Sequence, residues 1–284
     1  MLEWMHYGFM VRAVISSLLV GLVCSVVGVF VVTRGLSFIG AGIAHAAFAG
    51  VTLGFLIGFS PLTLAVLFSL ATVWLIQLVE RRGRLRLDVS IGIFFSLTMA
   101  LAILFIGLMR SYNAEVYSYL FGNLLGATRL DLIMILVVSA VVLTLLALFF
   151  KEYEFILFDC EVAEAAGIPT GMLSLLLLTM IAVTVVVSLK AVGVILVFAL
   201  IITPAASAYQ LTHSLRRMVA LSAVFGTAAS LGGLFLSYAF DLPSGATIVL
   251  TISLIFGLCT AFSPKRRQCE EMRLEHTEKE RKQK

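Results

Sequence analysis

The chain has 284 residues, 61% of them hydrophobic and only 13% charged, with a mean hydropathy of +1.10. No water-soluble domain buries that much apolar surface, because its own exterior has to be solvated; soluble enzymes and nucleic-acid-binding domains are excluded and an integral membrane protein remains. The net charge of +4 is unevenly distributed, and that asymmetry speaks to topology rather than to an anionic ligand.

Nine apolar segments follow one another, at about 8–33, 36–59, 61–79, 89–109, 131–150, 171–189, 191–209, 219–238 and 245–263. Each is close to the ~20 residues that cross ~30 Å of hydrocarbon as a helix. Helices are expected because backbone groups in lipid must be satisfied within their own segment, and no stretch alternates with the period of a membrane barrel. The expected fold class is an all-α polytopic membrane protein of about nine transmembrane helices, eight or nine depending on 110–130. The start, MLEWMHYGFMVRAV, has neither a basic leader nor a clear small-residue cleavage site, so the first run is read as a retained span.

The second span, SFIGAGIAHAAFAGVTLGFLIGF, carries His45. It lies ~10 residues, or ~15 Å, from Arg34, near the middle of the membrane. Polar groups at that depth usually face protein or a water-filled path. Gly42, Ala46, Gly50, Gly54 and Gly58 recur every four residues and predict close approach of another helix. Ala41, His45 and Ala49 form the adjoining stripe. Two roles fit His45: a bond to a neighbouring helix's carbonyl, or an imidazole in a translocation path, where it suits zinc and other late transition metals. The second is favoured, with further ligands supplied by other helices or another subunit.

Beyond the fourth span, 110–130 is too polar to cross, yet its YLFGNLLG is too apolar for an ordinary loop; a short helix at or dipping into the outer surface is expected. After the fifth span, KEYEFILFDCEVAEAAGIPTG brings Glu152, Glu154, Asp159, Glu161 and Glu164 together. Phe158, Val162 and Ala165 predict one apolar face, and Gly167 with Pro169 predicts a helix stop. Helices that rest on lipid carry lysine on the polar face; this one carries acids, so a protein partner is expected for about 158–169. Pro204, inside the seventh span, frees a backbone carbonyl; a hinge and an ordinary packed membrane proline fit equally. Asp241, in the last outer loop FDLPSG, fits a turn better than a cation-receiving mouth.

With the N-terminus outside, sixteen of the twenty Lys and Arg fall on the cytoplasmic side, including eight in the charged tail 264–284. Residues 1–263 then form one transmembrane domain, with Lys265 to Arg267 at the lipid headgroups. The four cysteines form no CxxC pair and imply neither a disulfide framework nor a zinc finger. GxxxxGK[ST], HExxH and GxSxG are absent, so neither ATP hydrolysis by that loop nor an intramembrane hydrolase is indicated.

Several stretches carry a family resemblance. The EAAG of Glu164 to Gly167 is similar to the coupling loop of ABC-importer permeases. FIGAGIAHAAFAGVTLG, IITPAASAYQLTHSLRRM and LSYAFDLPSGATIVL resemble, in order, segments of the permeases for zinc and manganese, as do DVSIGIFFSLTMALAI and YLFGNLLG. The resemblance runs from about Val11 to Phe262. It implies a type II ABC-importer fold, a homodimer with the path near its interface, two copies of a cytoplasmic ATP-binding subunit and an extracytoplasmic metal-binding protein. It also implies a multi-pass location in the cytoplasmic membrane of a prokaryote, a permease that is not itself an enzyme, and a metal ion as cargo rather than as a bound cofactor. Asp159, Glu161, Glu164, Ala165 and Gly167 would then couple to the ATPase, and His45 would line the metal path. Many members carry an aspartate four residues before the histidine, where Ala41 stands here. Loss of that hard oxygen ligand shifts the expectation to Zn²⁺, with Mn²⁺ or Fe²⁺ as the alternative. Two rivals are weaker: a channel or secondary transporter leaves the acidic helix without a role, and permeases for larger cargo are typically longer.

Overall fold

In a computed structural model, residues 8–83, 85–109, 114–122, 124–126 and 128–264 are described; Arg84, residues 110–113 and the tail from Lys265 lie outside them. All regular structure among the described residues is helical. The elements are α1 (Gly8–Thr33), α2 (Ile39–Ile57), α3 (Pro61–Gly83), α4 (Leu87–Leu108), α5 (Ala114–Phe121), a 3₁₀ turn (Leu124–Gly126), α6 (Arg129–Leu148), α7 (Phe150–Phe158), α8 (Cys160–Ala165), α9 (Thr170–Leu211), α10 (Leu215–Phe240) and α11 (Ser244–Ala261).

Eight of these helices are long and apolar enough to cross a membrane. The longest, α9, has 42 residues and is not straight: Gly193 leaves the helical region at φ 81°, ψ 163°. Its start is tied to the end of α1, where Arg34 donates to Ser174 Oγ at 3.0 Å, and to α3, where Gln77 donates to Gly171 O at 3.0 Å. Its finish returns to the same end of the bundle. There Ser263 Oγ donates to Gln210 O at 3.0 Å, and Tyr209 and Thr212 share a cavity with Thr33 and Glu154. So α9 is a hairpin of two arms, 170–192 and 194–211, joined by one glycine. Counted by passes through the bundle, the nine expected segments are present; counted by continuous helices, they are eight. The chain reverses at Gly193 and not at Pro204, for which a hinge and an ordinary packed proline fit equally. Pro204 is buried in helical backbone of the second arm, eleven residues past the turn.

α1, α2 and α9 form the interior, while little of α4, α6 and α11 is buried. Lipid offers no hydrophobic drive for helices to associate, so close backbone approach and interhelical hydrogen bonds have to do it. The α2 stripe serves that purpose on two sides: a Cβ on Gly42 would meet Ile91 of α4 at 3.3 Å, and one on Gly50 would lie 2.8 Å from the Ala65 backbone of α3. A serine seam joins α1 to α10. Ser230 Oγ donates to Ser17 O at 2.7 Å and Ser222 Oγ to Ser25 O at 2.8 Å, with Gly21 and Gly226 packed between them.

The Arg34 end is braced by Tyr153 of α7. Its fully buried ring lies under the Arg34 guanidinium at 5.9 Å, and its hydroxyl donates to Leu173 O at 3.1 Å. Burial pushes the phenol up to about 12, against the opposing pull of Arg34. Asp159 caps α8, accepting from Glu161 N and Val162 N at 2.9 and 3.1 Å. Gly167 then adopts φ 85°, and α9 begins.

Candidate functional site

A cleft of about 700 Å³ opens between α2, α4, the end of α5 and the second arm of α9. Helical spacing places Ala41 and His45 one turn apart on the α2 wall, and Asp88, Ile91, Phe95 and Ser96 on the α4 wall. Leu120 of α5 with Val194 and Ile195, immediately after the Gly193 turn, lines the end away from Arg34.

His45 is half-buried. Its Nδ1 lies 2.9 Å from the carbonyl of Ala41, one turn back on its own helix. A carbonyl only accepts, so Nδ1 carries the hydrogen and, in the neutral ring, Nε2 keeps its lone pair. That is the tautomer of a metal-ligating histidine whose other nitrogen is held by backbone. Phe95 packs edge-on to the imidazole, with centroids 4.7 Å apart at 66°, and fixes the ring plane. The backbone of Ala41 thus orients His45, while its methyl group leaves room on that wall.

Asp88 is the residue that sequence reasoning missed. It sits in the first turn of α4, where the helix dipole favours a carboxylate, and it lines the same cleft as His45. The signal was available in DVSIGIF, an acid at the start of an apolar run. That it shares a cleft with His45 depends on the register of α4 against α2, which periodicity does not give. Among the described residues no group of three His, Cys, Asp or Glu side chains is arranged to hold a metal ion. One chain therefore contributes an imidazole and a carboxylate to the cleft, too few to enclose an ion.

The other expected site residues lie elsewhere. Asp241 is exposed and ends α10 in a left-handed turn at φ 51°, ψ 40°, its N–H donating to Ser237 O; it does not line the cleft. Pro204 does not line it either. Asp159, Glu161, Glu164, Ala165 and Gly167 are all exposed at the Arg34 end. The apolar face expected there is turned the other way: Ala163 is the buried residue of α8, while Phe158 and Val162 are 82% and 51% exposed. The short piece α8 is anchored by a methyl group, which leaves its larger apolar side chains directed away from the bundle.

Away from Arg34, α5 and the 3₁₀ turn pack on the α9 reversal. Gly122 and Gly193 meet backbone to backbone, so closely that a Cβ on Gly193 would fall 2.6 Å from Phe121 C. Beside them Lys190 Nζ donates to Asp131 Oδ1 at 2.7 Å. Burial raises the Tyr119 phenol in this region.

Comparisons with known proteins point in one direction. The profile of the ABC 3 transport family matches residues 6–263. A manganese transport system membrane protein, MntC, of Listeria innocua is 38% identical over 261 residues, covering 92% of this chain and 93% of that one. The manganese import system permease protein ScaB of Streptococcus gordonii is 35% identical over 261 residues, 92% and 94% of the two chains. Among solved structures, PsaBC from Streptococcus pneumoniae in complex with Fab matches with a TM-score of 0.83 at 35% identity, covering 94% of this chain and 96% of that one.

Proposed function

The chain belongs to the ABC 3 transport family and is a metal-ion permease of ABC importers; from that premise we propose that it carries Mn²⁺ into the cell through the cleft that holds His45 and Asp88. The observation that carries this reading is the pairing, on one cleft, of an imidazole held by Ala41 O at 2.9 Å with the carboxylate of Asp88. Nitrogen and carboxylate oxygen together suit a divalent first-row metal, and the carboxylate accommodates manganese. The preference for zinc rested on Ala41 in place of an aspartate on α2. It is superseded, because α4 supplies a carboxylate to the same cleft and the relatives are named for manganese. Asp88 lies seven residues, ~10 Å along α4, before the Phe95 that packs on His45, so each donor meets the ion singly on its way, completed by water or by a second copy, and holds it weakly enough to release it.

The remaining parts follow the same reading. The exposed α8 with Asp159, Glu161, Glu164, Ala165 and Gly167 docks on a cytoplasmic ATPase subunit, two of which serve a homodimer. The Arg34 end is then cytoplasmic, in keeping with the positive-inside bias. The opposite end meets an extracytoplasmic metal-binding protein, and the membrane is the cytoplasmic membrane of a prokaryote. Closure of the ATPases moves α8, and rocking of the helices exposes the cleft alternately to each side.

The test is total cell metal by elemental mass spectrometry. A deletion strain grown in metal-poor medium is compared with strains restored by wild type or by His45→Ala. Manganese falls on deletion, returns with wild type, and stays low with His45→Ala at equal membrane levels. A fall in zinc alone overturns the choice of metal. Full restoration by His45→Ala makes the histidine a packing residue.

A further inference from the structure

The Lys190–Asp131 pair lies outside the cleft and has no part in the reading above. Its two members are held very differently. Asp131 is buried, with 5% exposure, and caps α6: its Oδ2 accepts from Thr128 N at 3.0 Å and from Thr128 Oγ1 at 2.6 Å. The cap uses one carboxylate oxygen and leaves Oδ1 for Lys190 at 2.7 Å. The lysine side chain is 40% exposed and sits on a flexible stem, three residues before Gly193. The carboxylate is thus a fixed post and the ammonium a movable hook. What the hook holds is the α9 turn, since just past it Gly193 meets Gly122 backbone to backbone. Leu120 on one side of that contact and Val194 and Ile195 on the other line the cleft at this end. The exposed lysine can exchange the carboxylate for water, while Asp131, buried, is left uncompensated and draws it back, as a reversible joint requires.

We propose that Lys190 and Asp131 are positioning residues that latch the Gly193 turn against the 120–122 backbone, and that metal enters the His45 cleft from this end only when the latch opens. The proposal rests on the transport reading, but its test reads access and not cargo. Val194 is buried, with 4% exposure, so a cysteine there reports opening. The full chain is reconstituted with its ATPase subunit, with Cys24, Cys160, Cys259 and Cys269 replaced by alanine and Val194→Cys added. Reaction with a membrane-impermeant maleimide supplied from the Lys190 side is then timed. Lys190→Met and Asp131→Asn each raise the labelling rate at least fivefold, whereas Lys190→Arg, which keeps the pair, labels at the parent rate. Equal rates in all four proteins overturn the latch, as does a rise in Lys190→Arg matching that of Lys190→Met. Failure of the manganese assignment leaves these rates unchanged, so the two readings fall separately. If Lys190→Met does not assemble, Asp131→Asn and Lys190→Arg still give opposite expectations.

Discussion

Gly193→Ala tests the hairpin reading of α9 most directly. At φ 81°, ψ 163° the backbone lies in a region that only glycine occupies comfortably, and an L-residue there costs ~1–3 kcal/mol. The added Cβ also meets backbone on the facing side, Phe121 C at 2.6 Å and Leu120 O at 2.8 Å. Ordinary contact begins near 3.4 Å, so the two segments must part by most of an ångström. Overpacking of this kind costs a further ~1–3 kcal/mol. Together these give ~2–6 kcal/mol, a large share of the ~5–15 kcal/mol that holds a typical fold. At ~2–4 °C per kcal/mol the apparent melting point drops by roughly 5 °C or more. The assay is the monodisperse fraction remaining on size-exclusion chromatography after heating at one fixed rate, since membrane proteins of this size unfold irreversibly. Gly107→Ala is the internal control: it lies in α4 with nothing within 4 Å of a new Cβ, and better helix propensity makes it neutral or stabilising by up to ~1 kcal/mol. If Gly193→Ala melts with Gly107→Ala, the reversal at Gly193 is not real and α9 has to be redrawn.

Three further outcomes follow. Tyr153→Phe leaves the carbonyl of Leu173 without its partner and destabilises by ~1 kcal/mol. Because the folded chain holds the Tyr153 proton up to about 12 against an ordinary 10.0, its contribution is complete below pH 10 and lost as pH rises towards 12; the gap in melting point between wild type and Tyr153→Phe should close over that interval. Asp88→Asn lowers Mn²⁺ uptake at least tenfold and Zn²⁺ uptake less, because a neutral amide replaces the hard anionic oxygen; ⁵⁴Mn and ⁶⁵Zn accumulation in proteoliposomes measures the ratio, and equal losses sink the assignment of Asp88 as the manganese donor. Phe158→Ala and Glu164→Lys lower transport-coupled ATP hydrolysis while leaving the isolated permease's melting point within ~1 °C, since both side chains are exposed; a large loss of stability means α8 is structural instead.

Span number and order were legible in the sequence because apolar length alone decides what can cross a membrane. Residues 171–189 and 191–209 read correctly as separate passes, but the cause of the break did not. Lys190 marks the gap between the two passes, but Gly193, three residues on among apolar neighbours, makes the turn, and its role appears only where it meets Gly122. Pro204 gave the louder local signal, yet a proline inside a membrane helix is absorbed when neighbours pack around it. His45 stood out by the cost of placing an imidazole at that depth; Asp88 did not, because an acid in the first turn of a helix is ordinary and its sharing a cleft with His45 is set by interhelix register. The same limit applies to α8: periodicity found an apolar face at Phe158 and Val162, but only packing shows that Ala163 is the inward residue. Ala41 drew the expectation towards zinc from one position on α2, whereas the cleft beside it is lined by α4 as well.

The first arm of α9 also acts as a lever. It starts at Thr170, five residues after α8, and ends beside the cleft at Val192; at 1.5 Å per residue its 23 residues make a rod ~34 Å long. A tilt of only ~5° about its lower end displaces the tip sideways by ~3 Å, enough to part the backbone-to-backbone contact of Gly193 with Gly122. On the proposed function, one continuous helix thus links the face where α8 would meet an ATPase to the opposite mouth, with no joint between them to dissipate mechanical work.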